Sequence, residues 1–308
     1  MSDYINRGET IMCQKVDSIE KFLEQLPRLN EKMKGNIFYR GQSDVSYRLT
    51  PSILRRQMEQ KENDIYMNIL AECSHEFEST MSHIDVLSKM QHYGVPTRLL
   101  DVTRNALVAL YFACDSKNNI DKDGVVYVLR ENSNHVKQFD SDAVSILSCL
   151  PRFSLEEKLE IKQLADSAQL NKISDEYTDE QIDSFNSNKT IKRLLHEVKK
   201  EKPAFENIIN PDDLLSNFFL NPQKTNPRII RQSGAFIIWG LKISEMQINS
   251  QYDDNVNSDV SYRIIIDRNY KQDIINQLSC FGISKATLHP ELYKVAEYIR
   301  ETYDSFNH

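Results

Sequence analysis

Apolar residues recur at helical spacing along much of the chain, and short β-type runs interrupt them. Ile19, Phe22, Leu23 and Leu26 form one stripe, so residues 17–26 are predicted as a helix, with Asp17 as its cap and Glu20 at the capping-box position. Ile65, Ile69, Leu70, Cys73, Phe77 and Met81 carry the same period, and a helix is expected up to Tyr93, where Gly94 and Pro96 stop it. Residues 105–115, NALVALYFACD, read as a buried helix with Thr103 as cap. Further helices are expected over 270–281 and from Pro290 onward, the latter turning Leu292, Val295, Ala296 and Ile299 inward. Short strands are expected at 36–39, 125–129, 235–241 and 262–266. Residues 151–225 differ from the rest. They are highly charged and lack glycine, and Ser154 with Glu157 and Thr178 with Gln181 form capping-box pairs, so this stretch reads as a helical insertion. Strands mixed irregularly with helices predict an α+β fold, small antiparallel strands with surrounding helices, in one domain over 1–308.

Composition narrows the function. Acidic residues number 45 against 38 basic, a formal net charge of −7, which argues against a general nucleic-acid coat. Only 8 of 308 residues are glycine, against an average near 7%. None lies between Gly124 and Gly234, so the clustered glycines of a P-loop or a G-x-G-x-x-G turn are excluded. The 5 cysteines are scattered, with no C-x-x-C, as expected of reduced thiols. The 7 histidines include no pair at metal-ligand spacing, and neither H-E-x-x-H nor G-x-S-x-G occurs, so a metal site and a nucleophile elbow are unsupported. MSDYINRGET has no apolar signal core, and the longest apolar run is far short of the ~20 residues of a membrane span. A soluble, cytoplasmic protein is expected.

Three polar clusters sit among the apolar elements. Tyr39-Arg40-Gly41-Gln42, followed by Arg55, puts a guanidinium fork at a strand end beside a tight turn, which suits an anion. A surface hairpin with Arg40 paired to Asp44 explains the same residues. His92, Thr97, Arg98, Asp101, Thr103, Arg104 and Asn105 crowd the approach to the apolar helix, where a helix N-terminus favours phosphate. Capping by Asp101 and Thr103, with Arg98 paired to Asp101, is the structural alternative. Arg228, Arg231 and Gln232 precede the strand at 235 and are equally readable as its solvated start. Cys114 could form a dyad with His92, but a cysteine on an apolar helix is ordinarily core.

The runs YRGQSD, QHYGVPTRLLDVTRNALVALYFA, RQSGAFI and FGISKATLHPEL resemble the FRG domain family, named for a Phe/Tyr-Arg-Gly element that is Tyr39-Arg40-Gly41 here. The resemblance spans roughly residues 18–300, with 151–225 divergent, and implies a bacterial protein. A further resemblance is to ADP-ribosyltransferases, which place an arginine on a first strand, often as Tyr-Arg-Gly. They place a Ser/Thr element on a second strand, running into a helix that ends in Phe-Ala, and a Glu or Gln on a third. By that likeness the elements are Arg40, then Asp101-Val102-Thr103 before Phe112-Ala113, then Gln232. The resemblance implies an ADP-ribosyltransferase-like core holding NAD as substrate. Arg40, Asp101, Thr103 and Gln232 would be the catalytic residues, and Tyr39, Gly41, Gln42, Arg55, His92, Thr97 and Arg98 would bind the nucleotide. It departs from the pattern in one respect: Gln232 stands where a carboxylate would support the oxocarbenium-like transition state, and glutamine cannot act as a base. Asp101 is the nearest substitute. The expected activity is transfer of ADP-ribose or cleavage of NAD, in a bacterial defence response. The alternatives are a non-catalytic nucleotide- or phosphate-sensing module, and arginine clusters that only hold the fold.

Overall fold

The computed structural model describes residues 15–32, 35–115, 117–132, 135–172, 174, 176–242 and 260–291, with isolated positions at 295, 296 and 299. Its strands are β1 (Asn36–Gln42), β2 (Leu99–Thr103), β3 (Gly124–Glu131), β4 (Val136–Gln138), β5 (Phe218–Asn221), β6 (Gly234–Ile238) and β7 (Val260–Ile266). They form one mixed sheet in the order β4-β5-β6-β2-β1-β3-β7, antiparallel throughout except for the β4–β5 pair. The α+β expectation holds at this level.

Strand alternation sorts the core. Tyr39, Leu99, Thr103, Phe236 and Ile238 lie on one face. Phe38, Leu100, Val102, Ala235, Ile237 and Trp239 lie on the other and form one cluster with Leu49, Tyr127 and Phe219. Helices cover the first face. Over β1 and β3 pack α1 (Ile19–Lys32), α4 (Ala106–Cys114) and α11 (Lys271–Cys280). Over β2, β5 and β6 packs a second group. It contains α2 (Glu62–Glu72), α3 (His83–His92), α5 (Asp142–Cys149), α6 (Leu155–Leu170), α7 (Asp179–Ser187), α8 (Lys189–Glu201) and α9 (Pro211–Leu215). The short α10 (Pro227–Arg231) and α12 (Lys285–Leu288) meet each other beside β6. The second face of the sheet is covered by the connection after β1, including a 3₁₀ stretch at Ser52–Lys61.

Helix α4 lies against the sheet with almost no spacer. A Cβ on Gly41 would come 1.8 Å from the Ala109 carbonyl oxygen, and one on Gly124 would come 2.2 Å from that of Ala113. Those two glycines let an apolar helix sit directly on β1 and β3.

Several expectations change. The period running from 63 to 93 is two helices, because the chain turns between Cys73 and Ser82. Ser82 then caps α3, its hydroxyl accepting from the Asp85 amide at 3.2 Å. Ser18, not Asp17, caps α1 by accepting from the Lys21 amide at 3.3 Å, while Asp17 pairs with the Lys21 ammonium. Asn105, not Thr103, caps α4, accepting from the Leu107 amide at 3.0 Å. Both capping boxes in 151–225 form as expected. That stretch is helical through α9 and then supplies β5, whose Phe218-Phe219-Leu220 run is buried on both faces. The expected last helix from Pro290 falls mostly outside the described residues. Cys114 and Cys149 are buried, Cys73 is partly buried and Cys280 is exposed. No described helix is long and apolar enough to cross a membrane.

Candidate functional site

β1 and β2 are neighbours, yet only Tyr39 and Thr103 pair across them. Beyond that pair the strands part. Arg40 fills the split, with Nη1 donating to the Asp101 carbonyl. Alternation turns Arg40 and Gln42 to the face covered by residues 43–61, and turns the Asp101 side chain to the helix-covered face. The two residues therefore meet at the strand edge from opposite sides.

On the Arg40 face, two buried polar atoms lack a hydrogen-bond partner among the described residues: Arg40 Nε, a donor, and Gln42 Oε1, an acceptor. They belong to residues i and i+2 of one strand and so lie about 7 Å apart at their backbones. Gln42 is 5% exposed and spends its Nε2 on the Arg48 carbonyl at 3.3 Å. Burial draws the Arg40 guanidinium down to about 10, with Asp101 pulling the other way and neighbouring Arg55 adding to the fall. Arg40 is thus cationic at neutral pH but poorly solvated. Among the described residues, exposed Arg55 ties one nitrogen, Nη2, to the Thr50 carbonyl at 3.0 Å. The Tyr127 hydroxyl, donating to the Tyr47 carbonyl at 3.4 Å, borders the same place.

On the opposite face a shallow groove runs between α3, β2, β6 and α10, lined among others by Gln91, His92, Asp101, Arg228 and Gln232. Its enclosed space, about 50 Å³, has room for a water or two rather than a dinucleotide. Asp101 Oδ2 accepts from Gln91 Nε2 at 2.9 Å. Gln232 ends α10 and donates from Nε2 to the Leu288 carbonyl at 3.0 Å. Burial, with Arg228 assisting, holds the His92 imidazole below its ordinary value, against the Glu291 carboxylate 3.4 Å away.

The remaining residues singled out in the sequence hold the scaffold. Thr103 Oγ1 donates to the Gln232 carbonyl at 2.6 Å and accepts from the Asn105 amide at 3.0 Å, pinning the end of β2 to the start of β6. Thr97, 2% exposed, donates to Gln91 Oε1 at 2.5 Å. Tyr39 is packed under α4, and Gly41 has no side chain to offer. Arg98 is not brought to Arg40. It makes a two-pronged pair with Glu62, at 2.9 and 2.5 Å, and donates to the Trp239 carbonyl at 2.9 Å. Arg40 is not paired with Asp44, whose carboxylate accepts from the Ser46 amide at 2.8 Å.

Gln91, Glu62 and Tyr127 were not legible as parts of these networks. Gln91 faces β2 from the last turn of α3, and that position follows from the helix ending at Tyr93. Glu62 gives no sequence signal of its Arg98 partner. Among the described residues no three His, Cys, Asp or Glu side chains cluster as a metal site would require.

Residues 35–122 match the family model of the FRG domain. The match runs from β1 through α4 and so includes Arg40, Gln42, Arg55 and Asp101, but not Gln232. No curated protein and no solved structure matches the chain.

Proposed function

From an FRG domain over residues 35–122, we propose a binding site for a nucleotide of the NAD or ADP-ribose type, on the face of β1 that carries Arg40 and Gln42. One observation carries this reading: two buried polar atoms, Arg40 Nε and Gln42 Oε1, stand on that face without hydrogen-bond partners among the described residues. Leaving such groups unpaired costs about 1–3 kcal/mol each, and a ligand offering an acceptor to one and a donor to the other removes the cost. A ribose hydroxyl or phosphate oxygen suits Arg40. The hydroxyls and the carboxamide of NAD supply the donor for Gln42. Arg55 adds a second positive charge for a pyrophosphate.

The likeness to ADP-ribosyltransferases supports the same ligand. Tyr39-Arg40-Gly41 lies on β1, Asp101-Val102-Thr103 lies on the adjacent β2 leading into α4, and Gln232 at the end of α10 precedes β6, the next strand of the sheet. In the proposed reaction the bond between the nicotinamide nitrogen and ribose C1′ breaks. Nicotinamide leaves with the electron pair, and water or an acceptor nucleophile adds at C1′.

A second reading, binding without turnover, is favoured by Gln232. Its amide is spent on Leu288, it is no base, and the Asp101 carboxylate is turned to the other face and occupied by Gln91. Calorimetry with NAD and with ADP-ribose, together with an assay of nicotinamide release, separates the cases. Saturable binding with release supports the transferase or glycohydrolase reading, binding of ADP-ribose without release supports the sensing module, and no binding of either removes both.

A further inference from the structure

A larger cavity, about 420 Å³, lies beyond the other end of β2, between the 3₁₀ stretch, α6 and the chain leaving β6. It shares no lining residue with the Asp101 groove, and none of Arg40, Gln42 and Arg55 lines it. Its volume falls within the range that holds small organic ligands. Ile53, Leu54, Leu155, Leu159 and Leu241 give it apolar walls. Leu159 at the rim is 50% exposed, an apolar side chain left open to solvent.

Two buried polar atoms here have no partner among the described residues. One is the indole N–H of Trp239, a residue 1% exposed, and the other is Oε2 of Glu59. A protein that only needed to fill this space could do so with phenylalanine and avoid a buried, unpaired donor. The charges are unbalanced as well. Glu59 and Glu62 face Arg98, Lys158, Lys162 and Lys242, and because Asp166 pairs with Lys162, one positive charge is left over. Glu62 is shared by Arg98 and Lys158, the latter at 2.7 Å, so one carboxylate serves two buried cations. Lys162 pairs with Asp166 at 2.5 Å.

We propose that this cavity is a second ligand site, distinct from the nucleotide site, for a small molecule with an aromatic or aliphatic body and one anionic group. The acidic end lies toward Lys158 and Lys242, and an acceptor atom takes the Trp239 N–H. A ligand N–H or O–H takes Glu59 Oε2. An apolar uncharged molecule would leave the cationic surplus unanswered, and a small inorganic anion would leave the apolar walls wet.

The test uses the full chain with two isosteric probes, naphthalene-2-carboxylate and naphthalene-2-methanol, read by calorimetry. The carboxylate should bind at one site per chain, at least tenfold tighter than the alcohol. Leu159→Glu, an exposed rim change that spares the core, should weaken carboxylate binding at least tenfold. Trp239→Phe, followed by calorimetry, should weaken it severalfold. ADP-ribose binding, where present, should be unchanged in both variants, and melting of Leu159→Glu should match the wild type. Equal affinity for the two probes, or carboxylate binding untouched by Leu159→Glu, would overturn the proposal. Loss of ADP-ribose binding in the same variants would also overturn it, by making the cavity part of the nucleotide site.

Discussion

Arg40 lies on β1 and Arg98 just before β2, and their settings assign them different work. Arg98 is 5% exposed, and all its nitrogens that bond do so to Glu62 and the Trp239 carbonyl. Burial pushes the Glu62 carboxyl up, but Arg98 and Lys158 together hold it below the ordinary range. Removing that carboxylate strands two buried cations, so Glu62→Ala should lower stability by about 3–5 kcal/mol, measured by denaturant unfolding. A loss under ~1 kcal/mol would mean that water reaches the pair. His83 offers a pH test. Burial holds its imidazole below the ordinary 6.5. The unfolded chain therefore takes up a proton before the folded one does, and stability falls as pH drops below about 6.5. Above that pH both states are neutral and the residue contributes nothing. His83→Gln should flatten the decline in melting temperature between pH 6.5 and 5, and an unchanged slope would place the acid sensitivity elsewhere. In the sequence, Arg40 and Arg98 look alike. What separates them is Glu62, which the chain brings from 36 residues away, and no local pattern encodes that pairing.

Among the elements, α4 depends most on its contact with the sheet. Its residues are apolar all round, so no amphipathic stripe tells which side faces in. The glycines beneath it give the answer: Gly41 and Gly124 clear space for the Ala109 and Ala113 carbonyls. Gly41→Ala should cost about 3 kcal/mol or more, the upper end of overpacking penalties, because backbone rather than a flexible side chain stands in the way. Soluble expression and melting temperature report it, and a near-neutral result would show that α4 can lift from β1. Asn105→Ala should cost ~1 kcal/mol as loss of an ordinary cap. The sequence made β1, β3, β6 and β7 readable, since each is a run of β-branched or aromatic residues between turn signals. β2 was hidden because Leu99–Thr103 runs straight into the apolar α4 and merges with its pattern. β5 was hidden inside a charged helical stretch and is only four residues long. Capping boxes were legible because they are local, and so were read correctly at Ser154 and Thr178.

At the scale of the whole molecule, the sheet order brings β6, β2 and β1 together at its centre, although the chain makes β3, β4 and β5 before β6. Sequence spacing cannot give that order, because each pairing closes a long loop. The order places Arg40 and Asp101 on neighbouring strands, with Gln232 just ahead of β6, while the alternation within β1 and β2 divides the Arg40 and Asp101 side chains between two faces. The account therefore rests on Arg40 and Gln42 rather than on the whole polar set. Titration calorimetry of ADP-ribose into the wild type and into Arg40→Lys tests this most directly, with melting curves of both proteins alongside. Lysine keeps the charge but has no Nε–H fork to satisfy the same contacts. The account predicts saturable binding to the wild type, loss of at least tenfold in affinity in Arg40→Lys, and melting temperatures within a few degrees. Wild-type protein that does not bind, or Arg40→Lys that binds equally well, would contradict it.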